Sequence, residues 1–415
     1  MSATVLAERL EGRAPGAWEI YRKEGATTDL SRADRDGAAS SRRETGIAAR
    51  WWDPAPRFAA ASSAEELARL LADPDAPPAA AAPVPAWPTG TASAPEAGAV
   101  EPPADVFDEL ARLVAAESRG DATLAALSLR NGRSRERVVN AAGLDVSWNA
   151  AATTGLAAAT GRRDGKSCEA RVLFRADGPL DLPRLARRLS DRATLPLAGR
   201  STPIDRGEWL LDVSVAAGLL AAIVPLFLRD VAPRWAVRPG FLPPDLSVVD
   251  DATADAPFDG EGTRTRRVIL AVDGSFRGRL HDLASARGAG AVATGHGVRR
   301  SFRTPPERAP RRLAFETARP VPQRDLLASV KRGLFAAALT APWICDLEGD
   351  RFQAEFTGVA VVAGRAQTPV SGARARGRLS ELLRRIAALA PEREFFPSPD
   401  PVGSGALLIE RASFE

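Results

Sequence analysis

The chain has 415 residues, of which 45% are hydrophobic and 26% are charged. This balance is ordinary for a soluble globular protein with two or three domains. Its net charge is +4 and its pI is near 9.6. The 56 basic residues include only three lysines, and 52 acidic residues nearly offset them. No basic run is interleaved with aromatic residues, as a groove for single-stranded nucleic acid requires, so we expect no nucleic-acid partner.

The sequence gives no expectation of a targeting signal. Its N-terminal stretch shows no basic region followed by an apolar core, so no signal peptide is expected. The longest apolar run, from Val213 to Leu228, is shorter than the roughly 20 residues that span a bilayer. Two cysteines, Cys168 and Cys345, are too few for a disulfide framework and indicate a reducing compartment. We therefore expect a cytoplasmic protein without membrane contact.

The first part of the chain mixes strand and helix signals. Strands are predicted at Trp18–Lys23 and Gly46–Trp52, with a polar segment between them that carries a further strand or turn. Ser63 and Glu66 form a capping box, which predicts a helix through Leu67, Leu70 and Leu71. A proline- and alanine-rich connector follows from Asp73 to Ala104, where we expect extended or mobile structure.

Further elements complete a first domain, which we place at residues 1–201. A second helix is predicted from Ala104 to Ser118 and a third from Leu182 to Arg192. Between them lie four strand-like segments: LAALSLR, ERVVNAAG, LDVSWNAAATTG and CEARVLFRA. Asn131-Gly132 is typical of a tight turn between the first two.

The second domain, residues 202–415, is rich in strand patterns. These are WLLDV, RRLAFET, AEFTGVAVVAGRAQTPVSGA and ALLIERA, with one late helix predicted from Leu379 to Leu389. We therefore expect an α+β fold, in which a mixed α/β N-terminal domain precedes a C-terminal domain built on a curved antiparallel or barrel-like sheet.

A hairpin is predicted within this second domain. From residue 267 to residue 272, Val268, Leu270 and Val272 alternate with Arg267, Ile269 and Ala271. This period of two is typical of a half-buried strand. Asp273-Gly274 supplies two residues that tolerate the positive φ of a tight turn. Phe276, Gly278 and Leu280 repeat the alternation, and His281-Asp282 would end the return strand.

The segment around this hairpin resembles the TldD/PmbA family of peptidase-like proteins. The shared features are the pair Asp250-Asp251, the Asp-Gly hairpin, the L-H-D sequence followed by Ser285 and Arg287, and the run TGHGVRRSFR at 294–303. The resemblance extends from Trp18 to Ile409 and is weakest in the proline-rich middle.

The resemblance implies a metal site that this chain lacks. Catalytic members carry H-E-x-x-x-H on a helix, with two histidines on the metal and a glutamate as general base. Aligned by Leu219-Leu220, these positions fall on Ala221, Ala222 and Leu226, and Pro225 interrupts the helix before the last of them. Catalytic members also place a cysteine in a loop near the C-terminus, and Pro397–Gly405 has none. We expect no metal or other cofactor in this chain.

Other polar residues could still bind or react. The resemblance implies a structural or peptide-contacting role for His281, and a turn role for His296. Cys345 has the pattern of a buried small hydrophobe. Asp250 and Asp251 are neighbours on a strand and face opposite ways, which favours a turn or groove edge over an acid/base pair. The candidates for contact with a peptide or partner are His281, Asp282, His296, Arg300, Asp250 and Asp251.

Three functions remain open from the sequence. The family works as two related chains, so the resemblance implies a metal-less, TldE-like subunit. That subunit would pair with a TldD-like chain carrying zinc or iron and would present strand edges to an extended peptide. The alternative is a stand-alone peptide-binding or scaffold protein without protease activity. The third is an enzyme that uses cysteine or histidine in a new way.

Overall fold

The structure, a computed structural model, describes residues 3–33, 36–53, 55–72, 85–94, 105–176, 178–198, 206–228, 235, 240–397 and 400–413. It is a mixed α and β fold with a strongly curled, antiparallel half-barrel sheet, which confirms the predicted fold class. The domain boundary predicted near residue 201 lies outside the described residues and stays a prediction. Most of the Asp73–Ala104 connector also lies outside them, apart from residues 85–94.

A sheet of seven strands forms the N-terminal half. Its strands are β1 Trp18–Ala33, β2 Asp36–Asp53, β3 Ala55–Ala61, β4 Gly90–Ser93, β5 Ala122–Asn140, β6 Leu144–Arg163 and β7 Lys166–Ala176. The order is β3-β2-β1-β5-β6-β4, with β7 also paired to β6. Four helices accompany it: α1 Ala3–Arg13, α2 Ala64–Ala72, α3 Val106–Glu117 and α4 Leu182–Ala198.

The two faces of this sheet are covered differently. One face, here called the helix face, carries Ile20 and Leu30 on β1. Helices α1 and α2 pack over its Ile20 end, and α3 and α4 over its Leu30 end. The opposite face carries Tyr21, against which Phe258 and Phe302 of the C-terminal half pack. The sheet therefore joins the two halves of the chain.

Most N-terminal predictions are confirmed, with longer elements than expected. The strands at Trp18 and Gly46 belong to β1 and β2, which pair antiparallel along their whole length. Ser63 Oγ accepts the N–H of Glu66 at 3.1 Å, as the capping box predicts. The Glu66 carboxylate accepts the N–H of Ser62 at 3.1 Å, one residue before the expected donor.

The turn predicted at Asn131-Gly132 is wrong. Both residues lie inside β5, where Asn131 pairs with Thr28 on one side and Thr153 on the other. Ladder partners on both sides hold this backbone extended, so the turn propensity of Asn-Gly is overridden. A tight turn of this sheet falls at Asp164-Gly165, between β6 and β7, where φ is 50° and 74°.

Three further sheets form the C-terminal half, one of them the two-stranded pair of Gly297–Val298 with Glu307–Arg308, together with five α-helices among the described residues. The strands are β8 Arg206–Leu211, β9 Leu246–Asp251, β10 Arg267–Val272, β11 Ser275–Phe276, β12 Gly297–Val298, β13 Glu307–Arg308, β14 Leu313–Thr317, β15 Arg332–Asp346, β16 Arg351–Val362, β17 Arg365–Arg378, β18 Ile386–Leu389, β19 Glu394–Pro397, β20 Pro401–Ser404 and β21 Leu407–Ser413. The described helices are α5 Val213–Ile223, α6 Pro225–Leu228, α7 Leu283–Gly288, α8 Gln323–Ser329 and α9 Leu379–Arg384.

The sheet orders place α5 at the centre. One six-stranded sheet runs β11-β10-β9-β14-β20-β19 and the other six-stranded sheet runs β17-β16-β15-β8-β21-β18. Both are mainly antiparallel, with the parallel pairs β14–β20 and β15–β8. The largest apolar core takes residues from both sheets and from α5, so this helix is packed between them.

The hairpin prediction is confirmed at its turn and wrong on its return strand. Asp273 and Gly274 have φ of 51° and 69°, and Ala271 pairs with Phe276. The return strand ends at Phe276, because the N–H groups of Arg277 and Gly278 both point at the Leu270 carbonyl and break the ladder. The pair 281–282 therefore does not end a strand. It leads into α7.

The helix predicted from Leu379 to Leu389 is half right. The helix ends at Arg384, and Ile386–Leu389 forms β18, which pairs with β21. Buried Leu379, Leu382, Leu383 and Ile386 have helical spacing, so the pattern alone does not mark the change to a strand.

Candidate functional site

Helix α5 occupies the place where the resemblance puts a metal-binding helix. It follows β8 directly, and Asp212 caps it by accepting the N–H of Ser214 at 3.1 Å. A Cβ on Gly218 would lie 3.0 Å from Leu339 and 3.2 Å from Trp343, so this glycine permits close packing. The Trp343 indole donates to the Val215 carbonyl at 3.0 Å. The helix is thus fixed by its cap and by β15.

The residues at the three site positions do not fit a metal. Helix α5 ends at Ile223, and the short α6 begins at Pro225, as expected for a proline that cannot continue the hydrogen-bond ladder. Ala221 and Ala222 pack against the apolar core, and Leu226 is 2% exposed within it. Alanine and leucine side chains offer no oxygen, nitrogen or sulfur ligand, and no chemical step can be assigned to them.

The C-terminal loop likewise has no cysteine. Residues 398 and 399, between β19 and β20, lie outside the described part of the chain. The sequence there, Ser-Pro-Asp at 398–400, contains no thiol. Ser404 is fully buried, and its hydroxyl donates to the Gly405 carbonyl at 2.8 Å. Across the described residues, no three His, Cys, Asp or Glu side chains are grouped so as to hold a metal ion.

Asp250 and His296 form a buried polar pair. Both side chains are fully buried, with His296 Nε2 3.1 Å from Asp250 Oδ1, although the ring N–H is not aligned for a hydrogen bond. Asp250 also accepts the backbone N–H groups of Arg311 and Arg312, each at 3.0 Å. A buried carboxylate bound by two amides holds the loop before β14. Asp250 therefore has a structural role.

His281 joins this group through Thr294. The Thr294 hydroxyl accepts a hydrogen bond from the backbone N–H of His281 at 2.7 Å. The same hydroxyl oxygen lies 2.9 Å from His296 Nδ1. His281 Nδ1 is 3.3 Å from Ser285 Oγ, and Asp282 caps α7 by accepting the Ser285 N–H at 2.7 Å. The structure thus brings four of the six candidate residues together around one loop.

Asp251 and Arg300 lie apart from that group. Asp251 lines a cleft of about 570 Å3 that runs between β7 and α4 on one side and β14 and β19 on the other. Arg300 binds Glu307 and Asp400 across the chain, the latter at 2.8 Å. Burial raises the pKa of Asp400. Arg300 is therefore half of an ion pair that holds the β20 loop, and Asp251 is the candidate on a cavity wall.

The cleft is lined by residues of both halves. Arg188 of α4 binds both Glu394 oxygens at 2.8 Å, and the Arg312 guanidinium stacks 4.1 Å from the Phe395 ring centre. Helix α4 and strand β19 are thereby tied across the cleft. A bidentate arginine pair of this kind fixes geometry as well as charge.

Neither cysteine has the surroundings of a nucleophile. Burial raises the pKa of the Cys345 thiol to about 12, and burial also raises the pKa of Cys168. Since the thiolate is the reactive form, both are disfavoured as nucleophiles.

Sequence reasoning missed a buried charge network. Arg50 of β2 binds Glu19 at 2.9 Å and Glu261 at 2.7 Å, and Arg299 also binds Glu19. Burial raises the pKa of Glu261 to about 7 and lowers the pKa of Arg299. Glu261 also accepts the N–H of Leu283 at 2.7 Å, so the network links the N-terminal sheet to α7.

Asp259 organises the loop that carries Glu261. Its carboxylate is fully buried and accepts the N–H groups of Glu261, Thr263 and Gly297 at 2.8–2.9 Å. Burial raises the pKa of Asp259. The sequence signal for this network is D-G-E-G-T at 259–263, in which two acidic residues alternate with glycines in a loop. Both carboxylates act there as hydrogen-bond acceptors for backbone N–H groups.

The fold and part of the sequence match known proteins. Residues 239–415 match the family described as PmbA/TldA metallopeptidase C-terminal domain. In three dimensions the chain is similar to TldE from Thermococcus kodakarensis, with a TM-score of 0.81, 17% identity and 99% of each chain covered. No curated protein matches the chain in sequence.

Two further solved structures share the fold. One is a protein from Thermotoga maritima described as a putative modulator of a DNA gyrase, with a TM-score of 0.78, 16% identity and coverage of 99% of this chain and 100% of that chain. The other is a Bacteroides thetaiotaomicron protein of the same description, with a TM-score of 0.77, 15% identity and coverage of 100% and 98%. Among the described helices, none is both long and apolar enough to cross a membrane.

Proposed function

Because this chain belongs to the TldD/PmbA family, we propose that it is a metal-less, TldE-like subunit of a heterodimeric peptidase. Its partner is a TldD-like chain that carries the zinc or iron ion and performs the chemistry. The complex acts on unfolded or leader-bearing peptides in the cytoplasm. This chain supplies part of the cavity wall and docks the extended substrate.

The observation that carries the proposal is the composition of α5 and α6. Ala221, Ala222 and Leu226 offer no donor atom where catalytic relatives hold H-E-x-x-x-H, and Leu226 is 2% exposed. The surrounding fold is otherwise complete, with α5 capped, packed and joined to both six-stranded C-terminal sheets. A fold that is kept without the metal-binding residues supports a role in binding the partner chain and presenting the peptide substrate.

The cleft offers a place for that role. Its volume of about 570 Å3 lies within the size range of ligand sites, roughly 300–1,000 Å3. The outer strands β7 and β19 border it. An extended peptide can pair with an outer strand through main-chain hydrogen bonds, while the charged side chains of the cleft contact alternate residues.

Elemental analysis of tag-free protein tests the metal-less part of the proposal. The chain purified alone should contain far less than one zinc or iron ion per molecule, and its complex with a TldD-like chain from the same genome should contain about one. About one ion per molecule in this chain alone would contradict the proposal. A chain that forms no complex and binds peptides by itself would favour the stand-alone binding protein.

A further inference from the structure

An open groove crosses the middle of the N-terminal sheet. On the helix face, α1 and α2 cover one end and α3 and α4 the other. None of these four described helices covers the central rows of β1, β2 and β5. The groove between these helix pairs has a volume of about 490 Å3. It lies on the sheet face that does not contact Phe258 and Phe302. It shares no described lining residue with the cleft between the halves, so the two are distinct.

Arginines dominate this groove. Arg43, Arg133 and Arg135 line it, and all three are exposed. Glu24 is the one carboxylate among the described residues of the lining, and it is bound by Arg22 at 2.6 Å. Three guanidinium groups therefore share a wall with a single carboxylate, which gives the groove a positive potential that attracts anions. We call this surface the arginine groove.

The strand register fixes the spacing of these charges. Arg43 and Arg133 both pair with Ala26 of β1, one from each side, so their Cα atoms are separated by two strand spacings, roughly 10 Å. Arg133 and Arg135 are two residues apart on β5 and lie roughly 6.6 Å from each other. Alternate side chains of an extended peptide repeat at this same interval, since both chains are extended.

We propose that the arginine groove binds an extended acidic peptide segment that has carboxylates at every second position. Charge complementarity argues for the occupant, because a carboxylate accepts two N–H groups from an arginine fork. The remaining lining residues are small or neutral and polar, among them Thr45, Ser134 and Asn149, which suit peptide groups. The choice of a peptide over other anions rests on the proposed function.

A single-stranded nucleic acid fits the groove less well. Sequence-independent binding of a single strand relies on aromatic side chains that stack on the bases. Among the described residues, the groove lining includes no Phe, Tyr or Trp. The two occupants can be separated by direct competition.

Fluorescence anisotropy on the full chain alone tests the proposal. The probe is a labelled peptide of alternating glutamate and serine, and the matched peptide carries glutamine in place of glutamate. We expect saturable binding of the glutamate probe that weakens with salt, and at least about tenfold weaker binding of the glutamine peptide. Equal binding of both peptides, or no binding, would overturn the proposal.

Paired variants locate the binding. Arg43→Gln with Arg135→Gln should weaken binding of the glutamate probe by about tenfold or more. The control, Arg42→Gln with Arg130→Gln, removes the same charge from the same two strands on the opposite face and should change binding less than about twofold. Equal losses of affinity in both double variants would contradict the groove assignment. The proposal would also be overturned if oligothymidylate bound more tightly than the glutamate peptide and lost that binding in the Arg43→Gln, Arg135→Gln variant. Because no partner chain is present, failure here leaves the heterodimer proposal standing.

Discussion

The side chain of Leu226 marks the point where this chain departs from a metal site. The resemblance to the family places a metal-binding histidine at this position, and here the leucine is 2% exposed in the largest apolar core. Its neighbour Phe227 is fully buried and contacts Phe276 with ring centres 5.6 Å apart. The side chain at this position therefore packs in the core and offers no metal ligand.

Replacing Leu226 with aspartate should destabilise the protein strongly. The change Leu226→Asp buries a charge without a partner, and we expect a loss of on the order of 3–5 kcal/mol in unfolding free energy. The control Val292→Asp changes a side chain that is 70% exposed and should have little effect. Urea unfolding measures both. Equal midpoints for Leu226→Asp and the parent would show that position 226 faces water.

Glu261 predicts a pH dependence of stability. Burial raises its pKa from 4.5 to about 7 in the folded state. The folded protein therefore holds this proton more tightly than the unfolded chain. The stability from Glu261 is full below about pH 4.5 and is lost as pH rises toward about 7.

The variant Glu261→Gln should remove that loss. Between pH 4.5 and 7, the parent should lose roughly 3 kcal/mol relative to the variant, as measured by urea unfolding at a series of pH values. A constant difference between the two proteins across this range would mean that Arg50, 2.7 Å away, keeps Glu261 ionised. The variant keeps an oxygen acceptor for the N–H of Leu283, so the α7 contact is retained.

At the scale of elements, turn chemistry predicted the structure only where no neighbour competed. Asp273-Gly274 forms its turn at the outer edge of a sheet. Asn131-Gly132 has equivalent propensity, but both of its neighbouring strands continue past it. The sequence around residue 131 does not reveal those neighbours, because they come from β1 and β6.

A substitution in the Asp-Gly turn tests its strain. Gly274 has φ of 69°, and a Cβ there would lie 2.6 Å from the Leu242 carbonyl oxygen. Gly274→Ala should therefore cost about 2 kcal/mol or more. In the same segment, a Cβ on Gly278 meets nothing closer than 3.8 Å, so Gly278→Ala should be nearly neutral. Thermal unfolding compares the two, and equal melting temperatures would refute the strain argument.

The candidate site was partly accessible from the sequence. The positions on α5 and the break at Pro225 follow from local residues and a motif. The network of Glu19, Arg50 and Glu261 does not, because its members are up to 242 residues apart in the sequence and meet only when the N-terminal sheet packs on the C-terminal half. Asp250 shows the same limit, since its buried partner His296 comes from a distant loop.

At the scale of the whole molecule, polar contacts hold the two halves together around a cleft. On one side of the cleft, Arg188 binds Glu394. On another side, Arg175 and Arg311 both bind Asp255. The arginine groove shares no described lining residue with this cleft. The chain therefore presents two separate surfaces, one proposed for the substrate of the complex and one for acidic peptide segments.

Peptide cleavage by separated and mixed chains tests the central claim most directly. Unfolded peptide is incubated with this chain, with a TldD-like chain from the same genome, and with both, each with and without a chelator. We expect efficient cleavage only by the mixture and complete loss in chelator, since the metal belongs to the partner. Cleavage by this chain alone that persists in chelator and is lost with Cys345→Ala or Cys168→Ala would contradict the account and identify a cysteine enzyme.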